Sequence, residues 1–371
     1  MKSGLLKALA LAIMTSPIIE QPPAFAQGSL TPPGAPAAAM RTLAQIEPRT
    51  PITNVPYTIM LPGSYYLATN CSSTTHGIII QASRVTVDLM GFSLTGDRES
   101  GDYGIWLDGA TNAALRDITV RGGMVSGFGE GVRCEYAQNS RMEGLAVSSN
   151  LNHGIYLNGS RGRCNRNTIV HCAVRDNGLN GVYLDGSSSG QCNGNTTAHC
   201  VISGSSGEGV RLYGNSGACD GNTVAHCTVS HSVSNGICLN GSSGACNGNT
   251  VTGCNVGDSL QYGIYLHAES GQCEGNRVAD CVLRKNANCG IYLYNSTANR
   301  IENNHVSATT GAASYGIYSG SGTNLILRNT CVGQTNNYSL NAGNTYGPIV
   351  TNSGELATSG TAAHPWANFS R

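Results

Sequence analysis

Aromatic, acidic and basic residues recur in this sequence at a spacing that would stack them. Trp106, Arg133, Tyr156, Tyr183, Arg211, Tyr265 and Tyr292 fall in one series, completed by Ile79, Cys238 and Tyr318. Two residues further on runs a second series: Gln81, Asp108, Glu135, Asn158, Asp185, Tyr213, Asn240, His267, Tyr294 and Gly320. Flat rings can lie on sugar faces, and carboxylates and amides can bind sugar hydroxyls. The chemistry expected of the two series is therefore carbohydrate recognition. Trp106, Tyr156, Tyr183, Asp185, Arg211, Tyr265, His267 and Tyr292 are the candidate glycan contacts.

Catalysis asks for more. A lyase or epimerase acting on a uronic acid needs a cation to neutralise the carboxylate, a base for the C5 proton and an acid for the leaving oxygen. Asp108, Glu135 and Asp185 could supply oxygen ligands to Ca²⁺ in such an enzyme, and Arg133 or Arg211 could neutralise charge. A hydrolase needs two carboxylates flanking the bond, and Asp108 with Glu135 is the pair to nominate. The candidate catalytic set is Arg133, Glu135 and Asp108. The plain alternative is that tyrosine is a good strand residue and that stacked tyrosines stabilise a sheet.

What would position these residues is an internal repeat. Glycine followed by Ile or Val occurs at 77, 104, 131, 154, 181, 209, 236, 263, 290 and 316, in steps of 27, 27, 23, 27, 28, 27, 27, 27 and 26. Each unit holds three short apolar pieces, such as GIYL, NTIV and CAV, separated by Gly, Asn and Ser. One unit cannot bury its apolar face, but stacking units about 4.8 Å apart buries a continuous column of Ile, Val and Leu. The expected fold is all-β: a single right-handed parallel β-helix of about ten coils with capped ends. Within GIYL the first apolar residue and the Leu point inward and the residue between them outward, which puts both series on one long face.

The units resemble the repeats of the pectate-lyase-like superfamily. The residues responsible are N-x-[IV]-x-x-[CN] (Asn167 to Cys172, Asn299 to Asn304, Asn324 to Asn329) followed by G-[IV]-x-L, together with the opening VTVDLMGFSLTG, Val85 to Gly96. The likeness covers residues 57 to 340 and is specific for fold. It implies that the outer sheet forms the wall of a glycan groove and that an arginine can serve as base. It does not select an activity, because the superfamily holds lyases, hydrolases, esterases, epimerases and non-catalytic binders. The polygalacturonase set is missing, since neither D-D nor G-H-G occurs. No zinc-protease motif is present either.

Five units carry cysteines at a fixed spacing: Cys164/Cys172, Cys192/Cys200, Cys219/Cys227, Cys246/Cys254 and Cys273/Cys281. Later units lack both members and place Asn304 and Asn329 at the second position. Appearing and vanishing together is what a disulfide inside each coil would require, and this is the first expectation. A ladder of packed thiols and a metal site are the alternatives. Cys71, Cys134, Cys238, Cys289 and Cys331 are left over. His171, His199 and His226 should stack on successive coils, and a structural role outranks a transition-metal one. Asp97, Arg98, Glu99 and Asp102 form a charged loop that lacks a calcium-loop pattern. No metal ligand set is assigned.

Residues 1–26 read as a secretory signal: Lys2 and Lys7, an apolar run from Leu5 to Ile19, and the small-x-small Ala24-Phe25-Ala26. Residues 27–56 read as a Pro/Ala-rich linker and N-terminal cap, with Met40, Leu43 and Ile46 at helical spacing. Residues 57–340 are the β-helix and 341–371 a C-terminal cap, with Trp366 and Phe369 tucked over the last coil. Only 11% of residues are charged and the net charge is zero, which argues against nucleic acid as a partner. No span of the membrane is expected after the leader. The location expected is secreted, periplasmic or cell-surface. Three functions follow: a non-catalytic glycan-binding or interaction scaffold, a polysaccharide lyase or related enzyme, and a periplasmic metal-handling β-helix resting on the His and Cys columns.

Overall fold

Each Gly-[IV] segment forms a short strand that pairs in parallel with the same segment one unit on. Ile155–Asn158 lies against Val182–Asp185 with Tyr156 opposite Tyr183 and Asn158 opposite Asp185. Ten such strands, with Tyr57–Ile59 before them and Asn336–Leu340 after them, make one sheet of twelve, and a second sheet of twenty-four strands takes two from most coils. In the coil from Gly154 these two are Thr168–Val170 and Ala173–Arg175. They meet at His171, whose φ of 54° turns the chain through the left-handed region. The result is the expected right-handed parallel β-helix of about ten coils. The computed structural model describes residues 47–311, 314–320, 322–351 and 359–371. The expected leader and the helical spacing at Met40, Leu43 and Ile46 lie outside the described residues.

The core is the predicted apolar column. Ile155, Leu157, Ile169 and Val174 from one coil and Val182, Leu184 and Ile202 from the next are fully enclosed or within 1% of it. Strand Thr50–Ile52 already pairs with Gly63–Leu67, so the sheet begins inside the segment read as a linker. At the other end Asn368–Ser370 pairs with Thr330–Val332 and with Ile349–Val350. Phe369 lies in this strand, while Trp366 stays 43% exposed with the Arg328 guanidinium 5.1 Å from its ring. Pro48–Arg371 forms one compact unit.

Buried amides run beside the core. Asn167, Asn195, Asn222, Asn249, Asn276, Asn299 and Asn324 stack one per coil, all at most 1% exposed. The backbone N–H and the side-chain amide of Asn222 both donate to Asn249 Oδ1, at 2.7 and 3.1 Å. The corner polar groups, which would otherwise be orphaned away from water, are thereby satisfied.

The in-coil disulfides expected from cysteine spacing are not formed in the structure: all fifteen cysteines are free and buried. Cys164 and Cys172 flank the strand Thr168–Val170 and join two separate columns. The sulfur neighbours of Cys192 are Cys164 and Cys219, and those of Cys200 are Cys172 and Cys227, in the coils on either side. Burial first, and the neighbouring thiols second, hold the Cys192 and Cys246 thiols well above their ordinary value. A thiol so disposed is a poor nucleophile and packs as a small hydrophobe.

One ion cluster spans three coils. The Glu302 side chain, 5% exposed, meets Arg277 at 2.8 Å, Arg300 at 2.7 Å and Arg328 at 3.1 Å. These hydrogen bonds, that from Arg300 first, outweigh burial and hold its carboxyl down at about 2. The carboxylate therefore contributes stability above its unfolded value of about 4.5, and this is lost as pH falls from there through about 2. In acid unfolding, Glu302→Gln is expected to lose about 2 kcal/mol less than the parent between those limits. Parallel acid limbs for the two proteins would contradict this.

Candidate functional site

The face of the twelve-stranded sheet carries three columns rather than the two that alternation predicts. A Cβ built on Gly131 would meet Val147 Cγ1 at 2.4 Å, and on Gly154 Val174 Cγ1 at 2.4 Å. Both the repeating glycine and the residue after it thus face the core, and the residue before the glycine turns outward. This adds His76, Tyr103, Glu130, His153, Asn180, Glu208, Asn235, Tyr262, Cys289 and Tyr315. Sequence reasoning missed them because it applied a strict period of two. The signal that could have found them is that the same residue types recur just before each glycine.

Over the N-terminal coils these columns interlock around Arg133. Its guanidinium meets Glu130 at 3.1 Å and Glu135 at 3.3 Å, and lies 5.0 Å from the ring centroids of both Tyr103 and Tyr156. Burial works against its charge, but the two carboxylates outweigh it and hold the group protonated. Burial also raises Glu130, with Arg133 opposing. Glu135 accepts from the Asn158 amide at 3.2 Å, and Asp108 accepts from Gln81 at 2.7 Å. Glu135 and Asp108 are opposite one another in register. The three candidate catalytic residues therefore do come together, with the arginine spent on two carboxylates. Trp106 packs on His76 and Tyr103 at 5.0 and 5.2 Å, and its indole N–H is buried without a partner.

The next coils bury several of the expected contacts. Tyr183 is 9% exposed and Asp185 6%. Tyr156 donates its hydroxyl to Asp185 at 2.7 Å and stacks on Tyr183 at 4.9 Å. His153 lies against both rings and accepts the Asn180 N–H on Nδ1. Burial first, then Arg211 and Arg133, push His153 down to about 4, so it is neutral at neutral pH. Arg211 repeats the clamp motif, 3.6 Å from Glu208 and 4.4 Å from the Tyr213 ring. Cys238, buried, interrupts the series.

Beyond it the tyrosines close up. Tyr262 stacks on Tyr292 at 4.5 Å and 13°, and Tyr292 on Tyr318 at 4.8 Å and 22°. Tyr265 and His267 continue the array at 5.1 Å. In these stacks the rings spend their faces on one another. Face-on stacking of a sugar, expected from the residue types, is therefore restricted to the ends of the array. What the stack offers along its length is a row of ring edges about one coil apart.

Two family profiles match the chain: "Right handed beta helix region" over residues 63–224 and "Periplasmic copper-binding protein (NosD)" over residues 191–360. No curated protein sequence matches. Solved structures do. The catalytic domain of a GH87 alpha-1,3-glucanase in complex with nigerose shares 14% identity at a TM-score of 0.62, over 86% of this chain and 63% of that one. The A-module of the Azotobacter vinelandii mannuronan C-5 epimerase AlgE6 shares 14% at 0.55, over 78% and 81%. The tailspike protein of E. coli bacteriophage HK620 shares 14% at 0.57, over 78% and 58%. The chain thus spans less than two thirds of the glucanase domain it matches. As for copper, no three His, Cys, Asp or Glu side chains are grouped to hold a metal ion among the described residues. His171, His199 and His226 stack ring on ring at 5.4 and 5.2 Å, and the thiols are buried in separate columns. The described residues do not fit a resident copper site. From the profiles, the shared coil and the register, this chain is a right-handed parallel β-helix repeat protein with the architecture of pectate-lyase-like proteins.

Proposed function

We propose that this is an exported, non-catalytic β-helix that binds a glycan along the twelve-stranded face. The observation that carries the reading is the state of Arg133. A residue that must neutralise a substrate carboxylate, or take a proton, is instead held between two carboxylates and two rings. The tyrosine rings further along recur at 4.5 and 4.8 Å, close to the length of one sugar unit, which suits an extended chain laid along the axis. The solved neighbours named for a glucanase, an epimerase and a tailspike support a glycan as the ligand class. The leader-like residues 1–26 support export to the periplasm or cell surface.

The test is incubation with a panel of acidic and neutral polysaccharides, with and without Ca²⁺, following unsaturated products and reducing ends beside equilibrium binding. The expected result is saturable binding without turnover, weakened about tenfold or more in Tyr292→Ala/Tyr318→Ala. A second reading, a lyase or related enzyme, is favoured by the nearly buried Glu130 carboxyl with its raised affinity for a proton. In that reading Asp108 and Glu135 offer Ca²⁺ its oxygen ligands. Turnover abolished by Arg133→Ala or Glu135→Ala would replace the scaffold reading with it.

A further inference from the structure

The one short step in the regular part of the repeat, 23 residues from Gly131 to Gly154, has a visible location. The corner after the twelve-stranded sheet is cut short: strand Glu130–Glu135 reaches Arg141–Ser148 through only Tyr136 to Ser140. The corners on either side keep their full loops, Gly109 to Ala114 before it and Gly159 to Asn167 after it. A notch results, with Gln138 at its base and Thr111, Asn112, Arg161 and Arg163 on its walls, enclosing about 450 Å³. A second concavity shares Gln138 and Arg163 and continues the notch past Asn165, Arg166 and Asn193.

Four arginines line this continuous groove: Arg116, Arg161, Arg163 and Arg166, all exposed. None of them has a salt-bridge partner among the described residues, whereas Arg133, Arg141, Arg211, Arg277, Arg300 and Arg328 all do. The chain is charge-poor and neutral overall, so the concentration is one of placement. Arg166 has a φ of 59°, and the next four coils fill its position with Gly194, Gly221, Gly248 and Gly275. Asp117 beside Arg116 is an exposed acidic side chain next to the groove. Further along, the charge reverses, with Asp220 and Glu274 in the column of Asn165 and Asn193.

We infer that this groove is a second binding site, distinct from the tyrosine face, and that it takes an anionic glycan segment carrying carboxylate or sulfate groups. Unpaired guanidinium groups present planar donor forks suited to such anions. The remaining lining (Thr111, Asn112, Gln138, Asn165, Ser189, Gln191) supplies hydroxyl and amide partners for sugar hydroxyls. Among the described residues no aromatic ring is free in the lining to stack a base, the neighbouring Tyr136 ring being packed on Gly162 with its hydroxyl on Ser160 O, which favours an acidic glycan over a single-stranded nucleic acid.

The experiment measures binding of the full chain to oligogalacturonate, to a sulfated oligosaccharide, to neutral dextran and to a single-stranded oligonucleotide, each at low and high salt. At least one acidic glycan is expected to bind, weakening with salt, while dextran shows no salt-dependent binding. Arg161→Ala/Arg163→Ala/Arg166→Ala should lower that affinity by about 10- to 100-fold. Arg175→Ala/Arg284→Ala/Lys285→Ala, which removes as much exposed charge elsewhere, should leave it within about twofold. Tyr292→Ala/Tyr318→Ala should also leave it intact, so this site and the tyrosine face can fail separately. Equal losses in the two charge variants, no acidic-glycan binding at all, or tighter binding of the oligonucleotide would each overturn the inference. Unchanged circular dichroism and melting of the variants keep any loss attributable to the groove.

Discussion

Asn249→Ala is expected to destabilise the protein by about 3 kcal/mol, far beyond what the side chain's size would suggest. Its Oδ1 is the acceptor for both the backbone N–H and the amide of Asn222, and its own amide donates to Asn276 Oδ1 at 3.0 Å. At 1% exposure the side chain is shut off from bulk water. Truncation leaves the backbone N–H of Asn222 buried and unpaired, and its side-chain amide with Cys219 Sγ at 3.4 Å alone. In a solenoid each coil contacts only its neighbours, so the weakened interface should also part the molecule there. Denaturant unfolding should show a lower first midpoint and a split transition, with the coils before and after Asn249 melting apart. A single transition within about 0.5 kcal/mol of the parent would mean that the amide ladder is ornamental.

Gly209→Val is expected to be at least as damaging, by about 4 kcal/mol or complete loss of folded protein. A Cβ there would stand 2.3 Å from Val229 Cγ1, 2.7 Å from Gly236 O and 2.9 Å from Ser232 Oγ. Two of these neighbours belong to the packed interior and the carbonyl to the next coil, so none can give way cheaply. Gly221→Ala is the contrasting case: its φ is 63°, but nothing lies within 4 Å of the added carbon. Its cost should be about 1 kcal/mol, from conformation alone. Comparable thermal stability of the two variants would refute the view that the repeating glycine is selected by space rather than by φ.

Most of the coil was legible because Gly-[IV] and the inward Ile, Val and Leu repeat at a nearly constant period, and parallel in-register stacking follows from that. Legibility stopped where the backbone broke alternation. Gly131 and Val132 both face the core, so Glu130, half of the Arg133 clamp, was assigned to no face. It stopped again at the thiols. Cys164 and Cys172 always occur together, which suggests a bond between them, yet columns run along the axis and two residues of one coil can belong to different columns. Ring orientation is a third limit. Tyr292 and Tyr318 are legible as aromatic residues on a face, but that their faces are occupied by each other and by Tyr262 depends on side-chain angles no residue type encodes. Tyr183 and Asp185 are buried for the same reason, by neighbours equally large.

The amide ladder has a consequence for how such a molecule can change size. Each rung binds the backbone of one coil to the side chain of the next, so an extra residue within a strand would put every later rung out of phase. Residues can be gained or lost freely only at corners, as between Glu135 and Arg141, where Ser140 still donates its N–H to Asn167 Oδ1 across a shortened loop. Length along the axis is therefore quantised. Whole coils can be duplicated or deleted without disturbing those that remain, and everything smaller is sculpted at the rim.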